Sequence, residues 1–315
     1  MKSQRSFCIS CNKVTPHYIQ CGDIYGKFRG FSIVRCSLCG LGETNPTPSD
    51  PYAKEAESDE LHLSLNLTIS DGNPWSREVA RVLIRENAPQ PILDIGCGEG
   101  ELIEVLIRSG FNASGIELRP KTAQIARMRG ANVTVGSINL FLENPYRVGT
   151  IVISHLLEHT LDPITILNEL SQHCECIVVA VPNSMSLRAF IEWSRYETYF
   201  AYAPGEHIWQ MSFAAIKNIF RNSQIPLRHI RCYPLKPHRR SLFMTIKSIK
   251  ADKTFESTSH IKKNVYQKLI SKNTTYKLFW QLIDRSLAFV EKLCPKLIKS
   301  DQIIVIGSCS APFKI

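Results

Sequence analysis

Apolar and β-branched residues gather in short runs at positions 92–95, 133–135, 150–154, 176–181 and 302–307, and residues 112–116 read as a further strand. Segments with helical spacing lie between most of them. Runs that stay apolar, without in–out alternation, fit strands buried on both faces. Strands alternating with helices predict an α/β fold, a doubly wound and mostly parallel sheet. A further set, Phe279, Leu282, Ile283, Leu287, Val290 and Leu293, recurs at helical spacing near the C-terminus, with Lys277, Arg285 and Lys292 beside it.

The first run ends in a turn that carries chemistry. Ile92-Leu93-Asp94-Ile95 is followed by Gly96-Cys97-Gly98-Glu99-Gly100, and an amphipathic stretch begins at Glu101. Glycines let the backbone fold sharply and approach a ligand with no Cβ in the way. A dinucleotide site needs G-x-G-x-x-G with a pyrophosphate at the helix N-terminus. Here the spacing is D-x-G-x-G-x-G, and Asp94 would repel a phosphate. A carboxylate at that point suits a ligand bearing an ammonium or a sulfonium. Glu117 ends the second predicted strand, where an acid can chelate a ribose diol. A strand-to-helix turn with no ligand is the alternative for the glycines taken alone.

Taken in order, ILDIGCGEG, GIEL, ISHLLEHTLDP, VPNSMSLR and GEHIWQMSFAAIKNIF resemble class I S-adenosylmethionine-dependent methyltransferases over residues 74–235. The last two segments resemble a subgroup acting mostly on small molecules and sugars. The resemblance implies a seven-stranded Rossmann-like sheet, with residues 302–307 returning as its antiparallel strand. It implies that Asp94 and the turn of Gly96, Cys97, Gly98 and Gly100 hold the methionine moiety. Glu117 would take the ribose, Leu118 would lie against the adenine, and His155 would border the cofactor. Ser137 stands where the family usually carries an acid toward the adenine amine; its hydroxyl can still accept a hydrogen bond.

Methyl transfer needs alignment of acceptor and methyl, and in many cases a base for the acceptor proton. His207, His159 and Glu158 are the candidates, a histidine being suited by a pKa near neutrality. The alternatives are bland: His155 ends a strand, and residues 156–159 open a helix in which His159 packs or caps. Trp193, Tyr196, Tyr199, Phe200, Tyr202 and Trp209 flank His207 in sequence and form either an acceptor wall or helix core.

Upstream, Cys8-x-x-Cys11 and Cys36-x-x-Cys39 form two knuckles, the second followed by Gly40. Four thiolates satisfy tetrahedral zinc and leave no open position, so the metal is expected to be structural. Cys21 and His17 are spare ligands; unrelated buried cysteine pairs are the alternative. RCSLCGLGETNPTPSDPY resembles the zinc-ribbon leader of methyltransferases linked to polysaccharide or secondary-metabolite pathways. The expected organisation is a zinc-binding module at 1–48, a linker at 49–73, the cofactor-binding core at 74–235, a basic helical insertion at 236–300 and a last strand within 301–315.

The chain has 11 cysteines and a net charge of +10. Cysteines outside the knuckles are scattered, which fits a reducing compartment better than a disulfide scaffold. Residues 1–10 lack the apolar core of a secretory leader, and no run is long enough to span a bilayer; the expected location is cytoplasmic. Residues 228–315 hold 18 Lys or Arg against 5 Asp or Glu, so the basic excess is C-terminal. That excess is a solvated helix face, or it meets an anionic membrane surface or a phosphorylated glycan carrier.

Two function classes compete. One is a methyltransferase acting on a small-molecule or glycan acceptor. The other is an RNA methyltransferase using the zinc module and the basic tail. Val181-Pro182-Asn183 and Ser154-His155-Leu156 carry neither a P-C nucleophile nor an N-P-P-Y loop, and the tail lacks aromatic spacing for base stacking. The small-molecule or glycan reading is favoured. A non-enzymatic partner-binding fold is disfavoured by the intact glycine turn and Glu117.

Overall fold

The computed structural model describes residues 4–21, 30–48, 74–186, 189, 206–233 and 302–309. The chain divides into two units, Met1–Leu235 with Ser300–Ile315, and Lys236–Lys299. All described residues belong to the first. The expected linker at 49–73, the basic insertion at 236–300 and the aromatic residues 193–202 lie outside the described residues.

The core is a seven-stranded sheet. Its strands are β5 (Ile92–Ile95), β6 (Ala113–Glu117), β7 (Asn132–Val135), β8 (Val148–Ser154), β9 (Cys174–Pro182), β11 (Leu227–Tyr233) and β12 (Gln302–Ser308). They lie in the order β11-β12-β9-β8-β5-β6-β7. From β7 to β9 all pairings are parallel, and β12 is antiparallel to both neighbours. Strands β5 and β8 are buried on both faces, as their unbroken apolar runs require. The antiparallel return of residues 302–307 is observed. Strand β11, with its mixed sequence LRHIRCY, gave no run to read.

Helices α1 (Pro74–Arg85), α2 (Glu101–Arg108), α3 (Pro120–Met128), α4 (Ile138–Glu143), α5 (Pro163–Ser171) and α6 (Phe213–Asn222) surround it. Their boundaries follow local chemistry. In α2, Glu101 and Glu104 sit in the first turn and Arg108 in the last, matching the helix dipole. Helices α3 and α5 start on a proline, which loses nothing at a position with no helical partner for its N–H. Asp162 caps α5 by accepting from the Ile164 and Thr165 amides. Ser212 caps α6, which buries Ala215, Ile216, Ile219 and Phe220.

Residues 156–159 do not open a helix. Leu157–His159 is a single 3₁₀ turn, and α5 begins only at Pro163. The Asp162 cap and Pro163 fix the later start, and His155 enters the turn at φ 55°, outside helical geometry.

The N-terminal segment forms a second, antiparallel sheet: β1 (Gln4–Cys8), β2 (Lys13–Cys21), β3 (Ser32–Cys36) and β4 (Gly42–Asn45). Its fifth strand is β10 (Trp209–Gln210), from the far end of the core sequence. Cys8, Cys36, Cys39 and Leu41 share one apolar cluster with Ile208, Trp209, Met211, Ile216 and Phe220. Arg35 of β3 is fully buried; it donates to Gln20 Oε1 (2.5 Å), Ser184 Oγ (3.2 Å) and the Gly40 carbonyl. Among the described residues no helix is long and apolar enough to cross a membrane.

Candidate functional site

Strand order reverses at β5, which pairs with β6 on one side and β8 on the other. Ligands of open α/β sheets bind in the crevice outside the carboxyl ends of the strands at such a switch point. Asp94 near the end of β5 and Glu117 ending β6 bring two acids to this edge. Both are buried. Glu117 is fixed by two backbone donors and one side-chain donor: the Gly98 N–H gives to Oε2 at 2.9 Å, and the Arg119 N–H and the Arg119 guanidinium Nε–H each give to Oε1 at 3.0 Å. Asp94 Oδ1 accepts no hydrogen bond among the described residues. Burial, then the charge of Glu117, pushes the Asp94 carboxyl up to about 7.

The turn between these acids runs through positive φ, at 55° for Gly98 and 74° for Gly100. A Cβ at Gly100 would stand 2.8 Å from the Ala126 Cβ, so this glycine lets α2 and α3 approach. A Cβ at Gly98 would meet no atom within 4 Å: the backbone there faces open space beside Glu117. Glycines at these two positions serve different ends, packing at Gly100 and access at Gly98. Cys97 turns its side chain inward; its Sγ would lie 2.6 Å from a Cβ at Gly115. Burial pushes that thiol up. Leu118 is half-buried just beyond Glu117. Ser137, past the end of β7, caps α4 by accepting from the Asn139 amide at 3.2 Å.

The loop after β8 forms the other wall. The Gly96 position faces Leu156, whose side chain would be 3.2 Å from a Cβ there. The His155 ring packs edge-on against Trp75 at 4.8 Å. Gln302 Nε2 donates to His155 Nε2 at 3.2 Å, which places the ring proton on Nδ1, facing Glu158 Oε1 at 3.6 Å. Glu158 is wholly buried, and neither carboxylate oxygen accepts a hydrogen bond among the described residues. Burial alone would raise its carboxyl, but His155, then His159 and His207, hold it down at about 2. His159 Nδ1 donates to the Glu206 carbonyl at 2.8 Å, and its ring meets that of His207 edge-on at 4.6 Å. Ligand atoms of Glu158, His159 and His207 all lie within 4.8 Å of one another.

His207 is held from the N-terminal sheet. Thr44 Oγ1 donates to the His207 carbonyl at 2.7 Å, and the Thr44 amide to the Ile208 carbonyl at 2.9 Å. Trp75, Gln302 and Thr44 were not legible as site residues. The only sequence signal among them was Gln302, a polar residue opening an apolar strand.

The four knuckle cysteines also converge, all sulfurs within 4.8 Å. Cys8 and Cys39 sulfurs are 3.6 Å apart, and those of Cys11 and Cys36 are 3.9 Å apart. Tetrahedral zinc with Zn–S near 2.3 Å sets sulfurs about 3.8 Å apart, so the set fits that ion. Gly40 takes φ 74° in the second knuckle. His17 points elsewhere, its Nδ1 on the Thr15 carbonyl at 2.9 Å and on Ser6 Oγ at 3.0 Å.

A mostly parallel seven-stranded sheet, with a glycine turn between two buried acids at its switch point, makes this a Rossmann-like α/β fold. A family model described as a methyltransferase domain matches residues 70–229, half of the chain, and the chain belongs to that family. It is similar to the ubiquinone biosynthesis O-methyltransferase of Xylella fastidiosa strain 9a5c, 33% identical over 84 residues, covering 24% of this chain and 34% of the relative. It is similar to the protein of the same name from Bordetella bronchiseptica, 25% identical over 164 residues, covering 50% of this chain and 62% of the relative. The chain thus spans about a third of the first of these relatives, 34%. Among solved structures, a SAM-dependent methyltransferase from Archaeoglobus fulgidus aligns at TM-score 0.45 and 20% identity, over 74% of this chain and 94% of that one.

Proposed function

We propose that this protein transfers a methyl group from S-adenosylmethionine to a small-molecule or glycan-type acceptor. The observation that carries the reading is the pair of buried acids near the ends of β5 and β6, with the Gly98 amide between them donating to Glu117. When bound, S-adenosylmethionine supplies a methyl group already activated by its sulfonium. The residues then have to bind and orient. Asp94 faces the cationic methionine end, and Glu117 takes the ribose hydroxyls beside the open backbone of Gly98. Leu118, the Ser137 region and His155 line the remaining edge. Glu158, His159 and His207 form the acceptor side. Similarity to proteins named for ubiquinone O-methylation supports a small acceptor methylated on oxygen. The basic excess of residues 228–315 supports an anionic acceptor or carrier. Cys8, Cys11, Cys36 and Cys39 hold a structural zinc ion in this reading.

Calorimetry with S-adenosylmethionine is the first test. We expect one site per chain on the wild-type protein and none on Glu117→Ala; unchanged affinity in that variant overturns the assignment. Labelled methyl transfer into fractionated extracts then separates soluble, lipid-linked and RNA acceptors. Label appearing only in RNA would replace the small-molecule reading.

A further inference from the structure

Glu158 poses a problem that the methyl-donor site does not solve. A carboxylate wholly removed from water costs several kcal/mol unless a cation or good donors compensate it. Here neither oxygen accepts a hydrogen bond among the described residues, and the His155 Nδ1–H stands 3.6 Å from Oε1. Two further imidazoles, His159 and His207, stand around it with ligand atoms inside 4.8 Å. The His159 Nδ1 proton is committed to the Glu206 carbonyl, which makes Nε2 the lone-pair nitrogen. A backbone carbonyl fixing one ring nitrogen so that the other can ligate is the usual second partner of a metal-bound histidine.

We infer that Glu158, His159 and His207 form a divalent first-row cation site, separate from the four-cysteine centre, which receives the acceptor's oxygen. Two imidazoles and one carboxylate are a ligand set used by zinc and other first-row ions, and three protein ligands leave positions open for substrate. Ligand atoms around such an ion stand about 3.0–3.4 Å apart, so rotation of the side chains by about 1 Å closes the set. The edge-on rings of His159 and His207, interplanar angle 85°, allow this without stacking. The site lies on the loop that also carries Leu156 over Gly96, beside the proposed donor crevice.

The role in transfer rests on the function proposed above; the cation site itself does not. In that role the cation draws electron density from the acceptor hydroxyl, whose proton passes to solvent. The oxygen lone pair forms the new O–CH3 bond, and the electrons of the broken C–S bond stay on sulfur.

Cobalt(II) titration of the full-length, zinc-loaded protein tests the site. We expect a second equivalent of metal with d–d absorption but no thiolate charge-transfer band, which sets it apart from the cysteine centre. Elemental analysis should give two metals per chain for wild type and one for His207→Gln and Glu158→Gln. His159→Gln serves as a third variant should Glu158→Gln fail to fold. Cys36→Ser should lose the other ion. A wild-type protein with a single metal, lost on Cys36→Ser and kept in the His207 and His159 variants, overturns the proposal. Calorimetry with S-adenosylmethionine on the same preparations reports the donor site independently. Intact donor binding without a second metal sinks only the cation site, and the converse sinks only the donor reading.

Discussion

Asp94 is buried with one oxygen unserved, and burial followed by the charge of Glu117 lifts its carboxyl to about 7. A raised carboxylate pKa means that the folded protein binds this proton more tightly than the unfolded chain. Between the ordinary value near 4 and about 7, the contribution of Asp94 to stability therefore falls as pH rises. A cationic ligand reverses that preference, because it favours the ionised form. Donor affinity should climb as pH rises from 6 to 8, by up to tenfold per unit below the midpoint. Calorimetry across this range checks it, and Asp94→Asn should flatten the profile while weakening binding. His155 is a second residue under local constraint. Its φ of 55° is uncommon outside glycine, though histidine tolerates it better than most. The bond from its amide to the Ala180 carbonyl at 2.8 Å and the Gln302 contact hold it there.

At the scale of elements, the parallel core was legible because its strands are buried on both faces. Runs such as 150–154 and 176–181 need no alternation and stand out against polar flanks. The glycine turn and the acids at 94 and 117 were legible for the same reason: special backbone and charge at the end of an apolar run. The N-terminal sheet was not. Its strands are short, mixed in composition and stabilised by a partner, β10, that lies more than 160 residues away in sequence. A two-residue strand such as Trp209–Gln210 carries no periodicity at all. The apolar pair Leu156-Leu157 suggests a helix start, but Asp162 and Pro163 carry the stronger start signal, a side-chain cap followed by a first-turn proline. The β4–β10 contact makes an element-level prediction. Thr44→Val removes the donor to the His207 carbonyl while keeping side-chain volume. Turnover should fall about tenfold, or ~1.4 kcal/mol, with donor affinity unchanged, and Thr44→Ser should restore most of it. Steady-state kinetics alongside calorimetry distinguishes this from general unfolding. Ser212 is a second joint: it caps α6 through the Ala215 amide and donates to the Cys39 carbonyl. Ser212→Ala should cost about 1–2 kcal/mol, read as a lower Tm.

Across the whole first unit, the two sheets share one apolar cluster, and hydrogen bonds link the knuckles to α6. Asn222 Nδ2 donates to the Ile9 and Ser10 carbonyls at 3.1 and 3.0 Å, and Ser10 Oγ to the Ala215 carbonyl at 3.2 Å. Metal loss in Cys36→Ser should therefore reach past the knuckles to the segment bearing His207. Hydrogen exchange should quicken in residues 206–212 as well as in β1 to β4. Protection in β5 and β6 should persist, since their partners lie in the parallel sheet.

Strand β10 has a practical corollary for anyone who trims this chain to the half that matches the methyltransferase family. Cutting before residue 49 would strip the neighbour from Trp209 and Gln210 and bare Ile208, Met211 and Phe220 to solvent. Such a fragment should come out of expression as insoluble material or as a sticky oligomer. The leader is the lid of the protein's own interior, and deleting it would leave the box open.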